Sequence, residues 1–396
     1  MRHFDRTANK KEIAMMLRMS NSNSYRWMAS LFFCTLLAGL VRAETTIDIH
    51  FLTQPIDRVS SLSEIDVFPE DLGKAGANLA LSDSKKVLKF LKKELVLHQH
   101  DSIETIPADA GVIVLDTPNE LIGQIVKAYP SSLIINGTNP SNELRTTSCR
   151  PNLMHSIPSW RMYADALSQF LVSKRWKRVL VIHGKEDQDL EYLSALKSSF
   201  SRFNVKVINT LTWDFDSDLR RAAAEEIPVF TRTDDHDVVV ILDTSFNFGH
   251  VIPYNTDRPR PIAGTHGLKP LGWHWRMEQW GATQLQKRFV KQAQRRMESA
   301  DYGVWLGIRA VIEAFIKIDS ADPQRLQEYL LSDQFEVAGF KGRKISVRPW
   351  NGQFRQPIPL AHEDGLSALA PLNGFIHQLT ELDTLGFDQQ EVSCGQ

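Results

Sequence analysis

Leu133-Ile134-Ile135-Asn136-Gly137-Thr138-Asn139-Pro140-Ser141 is the stretch from which the fold of this chain is read. Three consecutive aliphatic side chains leave no polar face, the mark of a strand covered on both sides. The run then breaks into small polar residues, glycine and proline, which favour a turn. Similar apolar, partly β-branched runs recur at 47–52, 111–115, 178–183, 205–210, 238–242 and 261–264. Longer amphipathic segments lie between them, near 74–97, 119–129, 159–175, 189–203, 217–226 and 282–298. This βαβα order predicts an α/β chain of mostly parallel sheets flanked by helices.

Beyond these, Val304, Trp305, Ile308, Val311, Ile312, Phe315 and Ile316 fall at helical spacing, with Asp301 placed to cap the start. Asp322-Pro323 opens a further helix over 323–331, with proline in its first turn. The ending is β-rich: 345–347 and 357–360 flank the turn Trp350-Asn351-Gly352. The strands fall into two groups, each the size of an α/β lobe. The division falls near 157, giving 44–157 and 158–275, with the helical block 276–335 and the tail 336–396 shared between the two lobes. Parallel sheets bind ligands beyond the carboxyl ends of their strands, so two such lobes predict a small-molecule cleft between them.

The 396 residues carry a formal charge of −1, without the basic excess of a nucleic-acid binder. That value averages two unlike pieces. Residues 1–43 hold seven Lys or Arg and two acids, then an apolar run from Trp27 to Val41, ending in Val41-Arg42-Ala43. Basic region, short apolar core and small-residue site describe a secretory signal peptide. Its removal leaves 353 residues at −6, an expected export product. Of the cysteines, Cys149 and Cys394 remain, either as one disulfide in an oxidising compartment or as two thiols.

Enzyme signatures are missing: the sequence has no G-x-S-x-G, H-E-x-x-H, P-loop, G-x-G-x-x-G or C-x-x-C. His98-Gln99-His100-Asp101 has donors that suit a metal, but it follows a lysine-rich run and reads as a solvated helix end. No metal or cofactor is expected. Two loops at strand ends are candidate ligand contacts. Gly137, Thr138 and Asn139 could hold a polar ligand head through hydroxyl, amide and backbone N–H groups, or form an ordinary turn. Thr265 and His266, in Gly264-Thr265-His266-Gly267, either reach the cleft from a strand end or sit in a glycine turn. Trp273-His274-Trp275 and Trp280 either line a pocket or pack a hinge.

Asp301-Tyr302-Gly303-Val304-Trp305 through Arg309-Ala310-Val311-Ile312-Glu313-Ala314, with Asp322-Pro323 and Gly339-Phe340-Lys341-Gly342, resembles the C-terminal half of type 1 periplasmic binding proteins. These are the branched-chain amino acid receptors of ABC transporters. Gly73-Lys74-Ala75-Gly76-Ala77-Asn78-Leu79-Ala80 resembles the first helix of that fold. Finer blocks include Asn142-Glu143-Leu144-Arg145, Cys149-Arg150-Pro151-Asn152-Leu153-Met154-His155, Arg258-Pro259-Arg260-Pro261, Arg348-Pro349-Trp350-Asn351-Gly352-Gln353 and Leu382-Asp383-Thr384-Leu385-Gly386. They resemble the substrate-binding proteins that accompany pyrroloquinoline-quinone-dependent alcohol oxidation systems. The likeness runs from about residue 65 to Cys394.

The resemblance implies a two-lobed type 1 periplasmic binding protein fold, with 276–335 returning to the first lobe and 336–396 to the second, and a non-enzymatic periplasmic receptor that hands a small solute to an ABC permease. It implies that Gly137 and Thr138 match the loop that holds the ligand carboxylate in amino-acid receptors. Those receptors place an acid in the second lobe against the ligand amine; Asp243 and His266 occupy the matching region without a clear glutamate. The usual Tyr-Gly turn is replaced by Gly184-Lys185-Glu186-Asp187. A substrate or product of alcohol oxidation, such as a short or aromatic carboxylate, is the expected ligand. The alternatives are a sensory or scaffolding module with a degenerate cleft, and an enzyme built on a cleft carboxylate and His266.

Overall fold

The computed structural model describes residues 45–54, 68–215 and 223–394. The signal peptide expected at 1–43, and the first part of the helix expected at 217–226, lie outside the described residues. β1 (Thr45–Thr53), β2 (Lys93–His100), β3 (Val112–Asp116), β4 (Leu133–Asn136) and β5 (Leu153–His155) form one parallel sheet, in the order β2-β1-β3-β4-β5. β6 (Arg178–His183), β7 (Lys206–Thr212), β8 (Val238–Leu242) and β9 (Ile262–Gly264) form a second, in the order β7-β6-β8-β9. In both sheets the chain reverses its direction of winding at the first strand. The crevice therefore opens at the carboxyl ends of β1 and β3 in one lobe and of β6 and β8 in the other.

The helices are α1 (Lys74–Phe90), α2 (Asn119–Ala128), α3 (Trp160–Ser173), α4 (Asp187–Arg202), α5 (Ala223–Phe230), α6 (Ala282–Ala293), α7 (Ser299–Ile318) and α8 (Pro323–Leu331). Alternate side chains of each central strand enter different cores. Ile135 and Val114 pack with α1, α6, α7 and α8, while Ile134 and Leu115 pack with Ile122 and Ile125 of α2. Val181 and Val240 pack with α3 and α4, while Ile182 and Ile241 face Phe248 and Ile252. Each fully buried aliphatic side chain contributes roughly 1.5–3 kcal/mol, so the unbroken apolar runs have a use for every residue. α7 starts two residues before the expected position. Glu298 and Asp301 form a reciprocal capping box there, and the Asp301 carboxylate also accepts from Gly73 N at 2.9 Å and from Arg295.

The main difference from the sequence-based expectation is at 93–100. Periodicity extends α1 to 97, but the helix stops at Phe90 and Lys93–His100 is edge strand β2. Lys92 takes φ 54°, a left-handed stop made without glycine. Lys93 is buried, pairing with Asp319 and lying 4.3 Å from the Phe315 ring. The His98–Asp101 segment is therefore a strand edge rather than a helix end. His50 stacks on His98 at 4.8 Å and its Nδ1 lies 3.0 Å from His100 Nε2.

The chain passes three times between the two main cores: between Met154 and Met162, between Leu268 and Trp273, and between Phe354 and Ile358. β11 (Val337–Ala338), β12 (Lys344–Val347) and β13 (Phe354–Arg355) form a small antiparallel sheet. Val337, Ile345, Val347 and Phe354 belong to the first core, so the tail crosses over near 355 rather than at 336. β10 (Lys269–Pro270), β14 (Ile358–His362) and β15 (Gly365–Ala370) make a third antiparallel group, with Ile358, Leu360 and Ala370 in the second core. Cys149 and Cys394 are joined, with Cα atoms 5.2 Å apart, tying the tail to the loop after β4. Among the described residues no helix is long and apolar enough to cross a membrane.

Candidate functional site

A cleft of about 770 Å³ lies where the two crevices face each other. Asp116 to Glu120 line it after β3, and Thr138 to Ser141 after β4. The opposite wall carries Asp187, Gln188 and Glu191 from α4, Phe246 from the loop after β8, and Lys269. The crossing segments contribute Ile157, Trp160, Trp273, His274 and Trp275.

The loop after β4 is shaped by Asn136, which is fully buried. Its Oδ1 accepts from Thr138 N (3.3 Å) and Asn139 N (2.9 Å), and its Nδ2 donates to Asn139 O (2.7 Å). Gly137 N donates to Leu115 O and Ser141 N to Asn139 Oδ1. The backbone N–H groups expected to hold a ligand head are thus already used. What the loop offers is side chains, Thr138 and Asn139. Gly137 does not line the cleft. A Cβ there would meet Val304 Cγ2 at 2.7 Å, and a Cβ on Gly303 would meet Gly137 O at 2.1 Å. This glycine lets α7 press against the loop.

Arg145, fully buried, fastens the same loop to the crossing segments. It donates to Asn139 O (3.0 Å), Ser141 O (2.7 Å), Ile157 O (3.0 Å) and Gln353 Oε1 (2.7 Å). Burial lowers its pKa to about 9, while Glu191 acts in the opposite direction. Gln353 Nε2 in turn donates to His155 O and Ile157 O, and Gln356 Nε2 to Ser156 O, binding two of the crossings together.

The residues expected from the second lobe do not reach the cleft. Asp243 is buried, and its carboxylate accepts from Asn247 N (2.9 Å), Phe248 N (2.9 Å) and Gly249 N (2.7 Å). It organises the loop after β8 and has no open side for a ligand amine. Thr265 Oγ1 is engaged with Ile241 O, Asp243 N and His266 Nδ1. His266 packs against Gly249 and Phe246, with its Nε2 buried and without a partner. Burial, then Lys269 and His250, lowers its pKa to about 3, so the ring is neutral. The three are parts of the second lobe's scaffold.

Thr117 and Asn119 are candidate contacts that the sequence-based expectation misses. Thr117 is 1% exposed, and its Oγ1 and the Asn119 Oδ1 are buried without a hydrogen-bond partner, on the cleft wall at the start of α2. A buried hydroxyl left unpaired costs free energy unless something else satisfies it. The signal was present as Asp116-Thr117-Pro118-Asn119, the strand-end rule applied to β3. Of the expected tryptophans, Trp273 and Trp275 take the pocket role, and none is seen packing between the lobes. Trp273 stacks on Tyr302 at 4.9 Å within the first core, and Trp273 and Trp275 also line the cleft. Trp160 stacks on Tyr192 at 4.6 Å and lines it too. Trp280 is 54% exposed and is not on the cleft wall.

The walls touch each other. Glu191 Oε1 accepts from Ser141 Oγ (2.9 Å) and Asn142 N (2.5 Å), and Phe68 meets Phe246 edge-on at 5.5 Å.

No family model and no curated protein matches the chain. Solved structures do. A branched-chain amino acid ABC transporter periplasmic ligand-binding protein from Burkholderia xenovorans is 13% identical, with a TM-score of 0.65 over 88% of this chain and 99% of that one. A leucine-, isoleucine-, valine-, threonine- and alanine-binding protein from Brucella ovis, in its closed conformation, is 12% identical, with a TM-score of 0.65 over 88% and 96%. A solute-binding protein of an ABC transporter from R. palustris, in complex with benzoate, is 13% identical, with a TM-score of 0.61 over 82% and 96%. At this identity the likeness speaks for architecture: the chain has the two-lobed α/β fold of type 1 periplasmic binding proteins.

Proposed function

We propose that this chain is a non-enzymatic, periplasmic solute receptor that binds a small molecule between its lobes and presents it to an ABC permease. The observation that carries the reading is the cleft itself: about 770 Å³, at the carboxyl ends of both parallel sheets, with the unpaired Thr117 hydroxyl on its wall. That size suits a small organic solute. Three crossing segments, two of them tied together by the Gln353 and Gln356 amides, can act as a hinge. A ligand that touches both walls binds the closed arrangement better and shifts the equilibrium toward it. Thr117, Asn119, Thr138 and Asn139 form the first-lobe contact set; Glu191, Phe246 and Lys269 form the second.

The fold likeness supports the receptor reading, since the solved structures cited above are transporter binding proteins by name. Signal-peptide export rests on the residue pattern at 1–43, and the connection with pyrroloquinoline-quinone-dependent alcohol oxidation on sequence resemblance; both belong to this proposal. The expected carboxylate ligand fits the cleft poorly, because its wall is rich in carboxylates. The test is small-angle scattering and tryptophan fluorescence on the purified protein, with and without solutes released from it by denaturation. Compaction on adding the released solute is expected. A bound solute that leaves the shape and the fluorescence of Trp160 unchanged argues for the alternative, a sensory or scaffolding module.

A further inference from the structure

Six carboxylates line the cleft: Glu120, Glu298, which caps α7, and Asp116, which accepts from Thr53 Oγ1, on one side, Asp187 and Glu191 on the other, and Glu363 beside the β14–β15 turn. The only fixed cations among the described lining residues are Lys269 and Arg296. A concave, partly apolar surface dominated by one sign of charge concentrates counter-ions and repels like-charged solutes. The carboxylates of Glu120 and Asp187, in the first turns of helices on opposite walls, make no hydrogen bond or ion pair. Bringing such walls together without a counter-charge is unfavourable, and a cation between them removes the repulsion.

The apolar part of the wall points the same way. Arg296 already lies 3.8 Å from the Trp275 ring centroid and Lys269 Nζ lies 5.4 Å from that of Phe246. Cations on aromatic faces are thus part of this cleft's construction. Trp160, backed by Tyr192 and partly exposed, adds a further aromatic surface. The independent sign of a ligand is Thr117, almost wholly buried, with an Oγ1 that has no partner. Its hydroxyl can accept a hydrogen bond from an ammonium group.

We propose that the solute is an organic cation, an amine or ammonium group on an apolar or aromatic body, held between carboxylates of the two lobes. This deepens the receptor reading and rests on it. The test compares three probes with one body, phenethylamine, phenethyl alcohol and 3-phenylpropionate, by titration calorimetry on the purified protein. Phenethylamine is expected to bind at least about tenfold more tightly than the other two. The preference should shrink between 0.05 M and 0.5 M NaCl. It should fall about tenfold in an E120Q/D187N double variant whose melting temperature matches wild type; if the pair melts early, each single variant is measured. Equal or tighter binding of the acid or alcohol, no binding of any probe, or unchanged amine affinity in the variant overturns the inference. A neutral or anionic solute released from the protein also overturns it and leaves the receptor reading intact. A protein that releases no solute and does not change shape contradicts the receptor reading itself.

Discussion

His266 gives a sharp test of the reassignment of the second-lobe residues. The ring is buried against Gly249 and Phe246, and its Nε2 has no acceptor. Protonation would add an N–H with nowhere to point, in a place already near Lys269, and the folded pKa is about 3. In the unfolded chain the pKa returns to the ordinary value of about 6.5. Since the folded value is the lower one, the unfolded state takes up the proton first as pH falls. The contribution of His266 is whole above pH 6.5 and declines as pH drops from 6.5 towards 3. Linkage with these two values gives a loss of about 2 kcal/mol between pH 7.5 and pH 5. His155 is buried and lowered in the same direction, so wild type falls further than this single term. The assay is urea unfolding of wild type and His266→Gln at pH 7.5, 6 and 5. A constant difference between the two proteins reports packing; the proton contribution is the part that shrinks with pH. The variant should recover about 2 kcal/mol relative to wild type on going from pH 7.5 to 5, with ligand affinity at pH 7.5 little changed. Parallel pH profiles, or abolished ligand binding in a folded variant, would refute the assignment of a neutral scaffold histidine.

Thr117→Val removes an unpaired hydroxyl at nearly constant volume. Thermal stability without ligand should hold or rise by up to about 1 kcal/mol, while affinity for the released solute drops about tenfold by calorimetry; unchanged affinity would place the ligand elsewhere. Glu191→Ala removes the acceptor for Ser141 and Asn142. The ligand-free protein should shift to a larger radius of gyration by scattering, on the strength of about 1–2 kcal/mol of lost hydrogen bonding. Reduction of the Cys149–Cys394 bond, or a C149S/C394S pair, should cost roughly 2–5 kcal/mol in denaturant unfolding and release the tail to proteolysis. A reduced protein as stable as the oxidised one contradicts that role.

The fold was largely legible because buried parallel strands announce themselves. Residues 133–136, 178–183 and 238–242 are strands to the residue, their side chains shared between two cores on opposite faces. β2 was not legible, since its short run Leu95-Val96-Leu97 continues the helical step of Leu88 and Leu91, and the left-handed stop between them is a lysine rather than a glycine. The site was legible in position and not in direction. Thr138 and Asn139 follow a strand and do face the cleft; Asp243, Thr265 and His266 also follow strands, yet turn inward to tie the loop at 246–249. Which way a strand-end side chain turns depends on which backbone N–H groups around it still need partners, and those lie far away in the sequence. The cleft's acidic excess was hidden for a similar reason, because its six carboxylates come from separate segments of the chain.

Native mass spectrometry of the protein purified from its producing cells tests the central claim most directly. A non-covalent adduct of one small molecule per chain is expected, released on unfolding and depleted in Thr117→Val. A bare polypeptide mass in wild type, with no adduct recovered after incubation with extract from those cells, would contradict it.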